Sequence, residues 1–149
     1  MTTPKRRQTV RRLQTAMATG YTGVGAWCFL HPTSVIAFTL TRKYVNMSNA
    51  TTHLFARCFG AQAMICGLLL GTSEMTTLSF TVFGLAVPYL GAYFWFRGIG
   101  PPSGMVNETM WVDFIGNLLV MGGSFSCAKL LKDDAKSSSG EGVEDESDG

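Results

Sequence analysis

Charge is what this sequence has least of. Between Leu13 and Leu131 only eight side chains are ionised at neutral pH: Arg42, Lys43, Arg57, Glu74, Arg97, Glu108, Asp113 and Lys129. Charged residues make up about a quarter of an ordinary soluble domain; here they are 15% of the chain, too few to coat a water-soluble fold. Acidic residues are missing altogether from the first 73 positions. Histidine occurs only as His31 and His53, and the cysteines Cys28, Cys58, Cys66 and Cys127 include no C-x-x-C pair. Zinc and thioredoxin-type chemistry want paired spacing, so the cysteines read as buried free thiols. The sequence thus points to no metal and no cofactor, and no nucleophile–base spacing stands out. A non-enzymatic protein with no role in nucleic-acid binding is the expectation.

Long apolar runs are what the chain has instead. At 149 residues it has room for one domain. Residues 1–12 are polar and basic (Lys5, Arg6, Arg7, Arg11, Arg12), and no charge follows until Arg42. That uncharged window, Leu13 to Thr41, exceeds the ~20 residues a helix needs to cross a bilayer. His31-Pro32 divides it, because proline removes a donor and disfavours helix in the residue before it. A first helix is expected at about 13–30, with 33–45 extended or lying along an interface; a kinked continuation through Pro32 is the alternative. A second is expected at about 51–70, a tight turn over Gly71–Glu74, a third at about 75–96 containing Pro88, and a fourth at about 109–131. Gly98, Gly100, Pro101, Pro102 and Gly104 make the intervening segment a loop. It is not a phosphate-binding glycine loop, since it follows no strand and its prolines lack the needed donors. Residues 132–149 are acidic and rich in Ser and Gly, and are expected to be disordered. The predicted fold is therefore an all-α integral membrane protein, a four-transmembrane-helix bundle with disordered polar tails.

Charge asymmetry orients it. Eight basic residues fall on the side of both termini (five before Leu13, then Lys129, Lys132 and Lys136), against Arg42, Lys43, Arg57 and Arg97 opposite. The positive-inside bias places the termini in the cytosol. Trp27, Trp95 and Trp111, joined by Tyr93, Phe94 and Phe96, fall at the opposite interface as an aromatic belt. The sequons at Asn46, Asn49 and Asn107 lie in the two outer loops. Asn49 and Asn107 sit close to helix ends, which leaves Asn46 as the glycosylation candidate.

Within a bilayer, helices associate through small residues and a few polar contacts. Gly20 and Gly23 in the first span, and Gly60, Ala63, Gly67 and Gly71 in the second, are the expected packing positions. Ionisable groups in spans are functional candidates. His31, His53, Arg57, Asp113 and Asn117 all fall at similar depth toward the outer side. Two readings follow: a structural Arg57–Asp113 clamp, favoured because charges near the interface cost little, or a polar pocket for a headgroup or small anion. Leu54-Phe55-Ala56-Arg57-Cys58-Phe59-Gly60 is similar to small four-helix membrane families, among them the scaffold proteins of sterol biosynthesis. That likeness covers a handful of residues, has no counterpart for His31-Pro32-Thr33-Ser34, and assigns no family.

The basic N-terminus suits anionic cytosolic lipids, and the acidic C-terminal segment could dock a basic partner, with Ser137–Ser139 as phosphorylation candidates. Membrane lipids and membrane-protein partners, reached through helices or the acidic tail, are the expected partners. The expected function is to organise or stabilise partners in the membrane; a ligand carrier using the outer polar cluster is the alternative. An endomembrane or plasma-membrane site is preferred over the mitochondrial inner membrane, because the apolar span begins at once and leaves little presequence to remove.

Overall fold

The computed structural model describes residues 4–41, 43, 46, 48–97, 104 and 106–140. The described chain is all-helical: α1 (Pro4–Leu30), α2 (Pro32–Thr39), α3 (Ala50–Thr72), α4 (Thr77–Arg97) and α5 (Trp111–Gly140), with a 3-10 turn at Glu108–Met110 leading into α5. Two of these helical stretches, Ala50–Thr72 and Glu108–Ser137, are long and apolar enough to cross a membrane. The segment 98–103, the acidic residues from Glu141 onward, and the side chains of Tyr93, Phe94, Trp95 and Phe96 lie outside the described residues.

Helices α3 and α4 run within two residues of the expected bounds, α1 ends at Leu30 as expected and α5 starts within two residues of Thr109, but three other expectations need correction. α1 begins at Pro4 rather than Leu13, α5 runs on to Gly140 rather than ending at Leu131, and part of 33–45 is helical as α2. Polar ends extend α1 and α5 because each supplies the other's packing partner. Taken alone, the first turns of α1 carry Lys5, Arg6 and Arg7 and no acid, which opposes the helix dipole. Against α5, however, Val10 is buried beside the fully buried Cys127, whose Sγ donates to the Val10 carbonyl at 3.9 Å. One register step further out, Arg6 Nη1 meets Asp134 Oδ1 at 3.4 Å. The pair is antiparallel, with Met17 against Ser124 deeper in.

The expected break falls at His31, and Pro32 then starts a new helix. His31 leaves the helical region at ψ 56°, and Pro32 then takes the first position of α2, where a missing N–H costs nothing. The short helix is pinned by Ile36, 2% exposed, and by Trp27, which donates from Nε1 to Ser34 Oγ at 2.7 Å and meets the Phe38 ring edge-on at 5.6 Å.

The long helices pack in two antiparallel pairs, α1 with α3 and α4 with α5, joined along α1 and α5. In the first pair backbones touch. A Cβ on Gly25 would lie 2.5 Å from Met64 N, and one on Gly60 would lie 2.6 Å from Gly25 O. A Cβ on Gly67 would lie 2.6 Å from Thr22 N. In the second pair Gly84 faces Ser124 and Gly91 faces Asn117, seven residues on along each helix. The buried cluster of Val10, Ala18, Leu70, Phe80, Cys127 and Ala128 sits toward the end of the fold that carries both described ends of the chain. There Gln14 Nε2 donates to the carbonyls of Leu70 (2.6 Å) and Ser73 (2.9 Å), satisfying acceptors that the end of α3 leaves open. Across the turn, Ser79 N donates to Thr76 Oγ1 at 3.1 Å, capping α4.

Candidate functional site

The five polar residues singled out by depth do not converge. His31 stands exposed between α1 and α2, and its carbonyl accepts from Ser34 N (3.1 Å) and Val35 N (3.3 Å). His53 and Arg57, one turn apart on α3, line an open groove of about 390 Å³ together with Ser48, Ala50 and Leu54. Asp113 and Asn117, one turn apart on α5, pair with each other: Asn117 Nδ2 donates to Asp113 O at 2.9 Å and to Asp113 Oδ2 at 3.1 Å. Asn117 also packs on Gly91 of α4. Among the described residues no ion pair joins Arg57 to Asp113, whereas Arg6 and Asp134 form one. The clamp is therefore absent and the pocket is split in two. The physical reason lies in helix pairing. α3 packs on α1, and α5 packs on α4 and α1, so equal depth does not become proximity.

The expected packing positions divide in the same way. Gly60, Ala63 and Gly67 are buried against α1, and Gly71 approaches the Ala18 Cβ. Gly20 and Gly23, by contrast, have nothing within 4 Å of where a Cβ would stand. The face of α1 that meets α3 is Ala18, Thr22 and Gly25.

A polar node that sequence reasoning missed lies at the end of α2. Asn107 Nδ2 donates to the carbonyls of Ala37 (3.3 Å), Phe38 (3.5 Å) and Leu40 (3.1 Å), while its backbone N–H donates to Thr39 O at 2.9 Å. Its Oδ1 accepts from Thr41 Oγ1 at 3.3 Å, and Thr109 Oγ1 donates to Phe38 O. A single bridge, Leu40 to Val106, completes the clasp. One side chain thus gathers the carbonyls that α2 leaves unsatisfied and ties the two connecting segments together. The only sequence signal was the sequon, which pointed to a different use. Asn49 is likewise occupied as the N-cap of α3, accepting from Thr51 N at 2.8 Å. Asn46 is exposed and folds only onto its own turn, accepting from Ser48 N at 3.0 Å.

Among the described residues no three His, Cys, Asp or Glu side chains gather as a metal site would require. Cys28 and Cys127 are buried thiols, and Cys58 and Cys66 are exposed. What the geometry can do is hold helices together and present surfaces. Comparison with protein-family models, with curated protein sequences and with solved structures finds no match to this chain.

Proposed function

We propose that the four long helices form a transmembrane four-helix bundle with both described ends on the cytosolic side, and that the protein organises partner proteins in its membrane without catalysing a reaction. One observation carries this reading: the packing is inverted relative to a water-soluble bundle. Gly25, Gly60, Ala63, Gly67, Gly84 and Ser124 lie between helices. Leu54, Phe55, Leu69, Leu78, Tyr89 and Leu119 point outward, each more than half exposed. Water would drive those large side chains inward at about 25 cal/mol per Å², whereas lipid supplies no such drive and leaves close packing to decide. The two helices that pass the length-and-apolarity test are only 22% and 17% buried over their most apolar windows, unlike core helices of a soluble fold.

Length adds to this. At ~1.5 Å per residue, the 23 residues of α3 and 21 of α4 match a hydrocarbon core of about 30 Å. The 27 residues of α1 and 30 of α5 overshoot it on the side of the Arg6–Asp134 pair. A paired-helix stalk then stands in the cytosol, a projecting surface suited to contacting a partner. The carrier alternative rests on the distal polar cluster, whose split into separate α3 and α5 groups leaves it without an enclosed pocket.

The test is fractionation. The chain is expected to stay in the pellet after alkaline carbonate extraction, and a C-terminal tag to be digested in sealed microsomes. Release into the supernatant overturns the membrane reading, and a protected tag reverses the orientation. The organising role requires stoichiometric partners after purification in mild detergent; a chain that purifies alone removes it. Asn46→Gln is expected to abolish any glycan-dependent mobility shift that Asn49→Gln and Asn107→Gln leave in place, because the Asn49 side-chain oxygen caps α3 and the Asn107 amide nitrogen already donates to carbonyls.

A further inference from the structure

Gly20 and Gly23 share a face of α1 with Gln8, Arg12 and Ala16, and among the described residues that face has no partner. Gln8, Arg12, Ala16, Gly20 and Gly23 follow one another at steps of three or four, the spacing of a single helical stripe. All are exposed, as are Arg11, Thr15 and Thr19 beside them. At the top of the stripe Gln8, Arg11, Arg12, Thr15 and Ala16 line an open hollow of about 460 Å³. Among the described residues neither arginine has an ion-pair or hydrogen-bond partner, although Arg6, one turn earlier, is held by Asp134. Below the hollow the stripe is flat, since among the described residues no atom of another helix comes within 4 Å of a Cβ built on Gly20 or Gly23. Val24, 51% exposed, borders it on one side.

We propose that this stripe is a binding site for one anionic phospholipid on the cytosolic leaflet, a conclusion that rests on the transmembrane reading above. The phosphate sits between Arg11 and Arg12, with the Gln8 amide as a further donor. One acyl chain lies along Ala16, Gly20 and Gly23. Charge and position select this occupant. The arginines stand immediately before Leu13, where the apolar span starts and where headgroup phosphates lie. From Arg12 to Gly23 the helix rises about 16 Å, one leaflet's share of the hydrocarbon core. Guanidinium groups bind phosphate through charge-assisted, often bidentate hydrogen bonds. A second copy of the chain fits the face poorly: two parallel stripes in contact would set Arg12 against Arg12, with no acid among the first 73 residues to offset them. An acidic peptide would match the arginines and leave the apolar strip below them uncovered.

The experiment titrates the full-length chain, purified in mild detergent, with dioleoyl phosphatidic acid, dioleoyl phosphatidylcholine and glycerol 3-phosphate, reading bound lipid by native mass spectrometry and the thermal midpoint by intrinsic fluorescence. Phosphatidic acid is expected to bind one-to-one and raise the midpoint, with neither effect from the other two. Arg11→Gln with Arg12→Gln is expected to weaken binding about thirtyfold. Gly20→Leu with Gly23→Leu keeps every charge and meets open space, so folding should persist while binding falls about tenfold. Equal binding of phosphatidic acid and phosphatidylcholine, full binding of glycerol 3-phosphate, or unchanged binding in the glycine double variant each overturns the site. A tenfold gain in affinity on truncation after Gly140 would assign the arginines to the chain's own acidic end and overturn it as well. A chain that stays monodisperse without detergent sinks the membrane reading instead, so the two failures are distinguishable.

Discussion

Gly25→Leu is expected to leave little folded protein, and Gly25→Ala to lose about 2 kcal/mol or more of stability, at the upper end for overpacking. A single added carbon at Gly25 would stand 2.5 Å from the Met64 nitrogen and 2.7 Å from the Gly60 oxygen, both main-chain atoms of α3. No rotamer change relieves such a clash, so the helix axes must separate, and the Gly67–Thr22 contact further along opens with them. Gly60→Ala should behave alike, its added carbon meeting Gly25 O and Phe29 N, both at 2.6 Å. The matched controls are Gly20→Ala and Gly23→Ala, which add a carbon to open space on the same helix. There the change removes only glycine's helix penalty, a gain of up to about 1 kcal/mol. Unfolding of the purified variants in detergent, followed by circular dichroism, measures both signs. If Gly25→Ala and Gly23→Ala shift stability equally, the α1–α3 register described above is wrong.

Asn107→Ala is expected to be the most damaging single change outside the helix contacts, at about 1–2 kcal/mol. It strips the amide donor from the Ala37, Phe38 and Leu40 carbonyls, of which Phe38 keeps Thr109, and the acceptor from Thr41; these bonds are exposed or half-buried, where each is worth about 0.5–1.5 kcal/mol net. Asn107→Asp keeps the shape but replaces the donors with charge facing carbonyl oxygens, so it should do no better. Hydrogen exchange localises the effect: the amide of Leu40, bonded to Ile36 O, should exchange faster in both variants, while amides near Phe80 in α4 stay protected. Unchanged exchange at Leu40 would mean that the segments hold together without the Asn107 amide.

The reach of sequence reasoning here follows from what each signal measures. The apolar runs between Ala50 and Thr72 and between Thr77 and Arg97 are bounded by charge and turn formers, so α3 and α4 were legible to within two residues. Depth along a helix axis was legible too. Direction around the axis was not, because it depends on which helices pair. That is why His53 and Arg57 fall on one element and Asp113 and Asn117 on another, without meeting. The same limit explains the glycines. Gly60, Ala63 and Gly67 stand out on a helix otherwise lined with large residues. On α1, small residues occur on several faces (Ala16, Ala18, Gly20, Gly23, Gly25, Ala26), and spacing alone does not choose Ala18–Gly25 over Ala16–Gly20. The ends of α1 and α5 were missed because residues 5–12 and 132–140 are polar and fold through each other, across more than a hundred residues of sequence. Asn107 was visible only as a sequon, since an amide that reaches back some seventy residues to a helix end leaves no local pattern.

The pairing of α1 with α3 has a consequence for how the protein is made. Every close approach of that pair, from Gly25–Gly60 to Ala18–Gly71, is available once residue 72 has been synthesised. At roughly 5–20 residues per second, α5 reaches Gly140 several seconds later. The first half can therefore assemble while the second is still emerging from the ribosome, leaving the Val10–Met17 face of α1 waiting for Ser124 and Cys127. During that interval the Met17 sulfur, the Val10 carbonyl and Arg6 have no helix against them, and a chaperone or neighbouring subunit has its chance to engage the chain before α5 closes over that face.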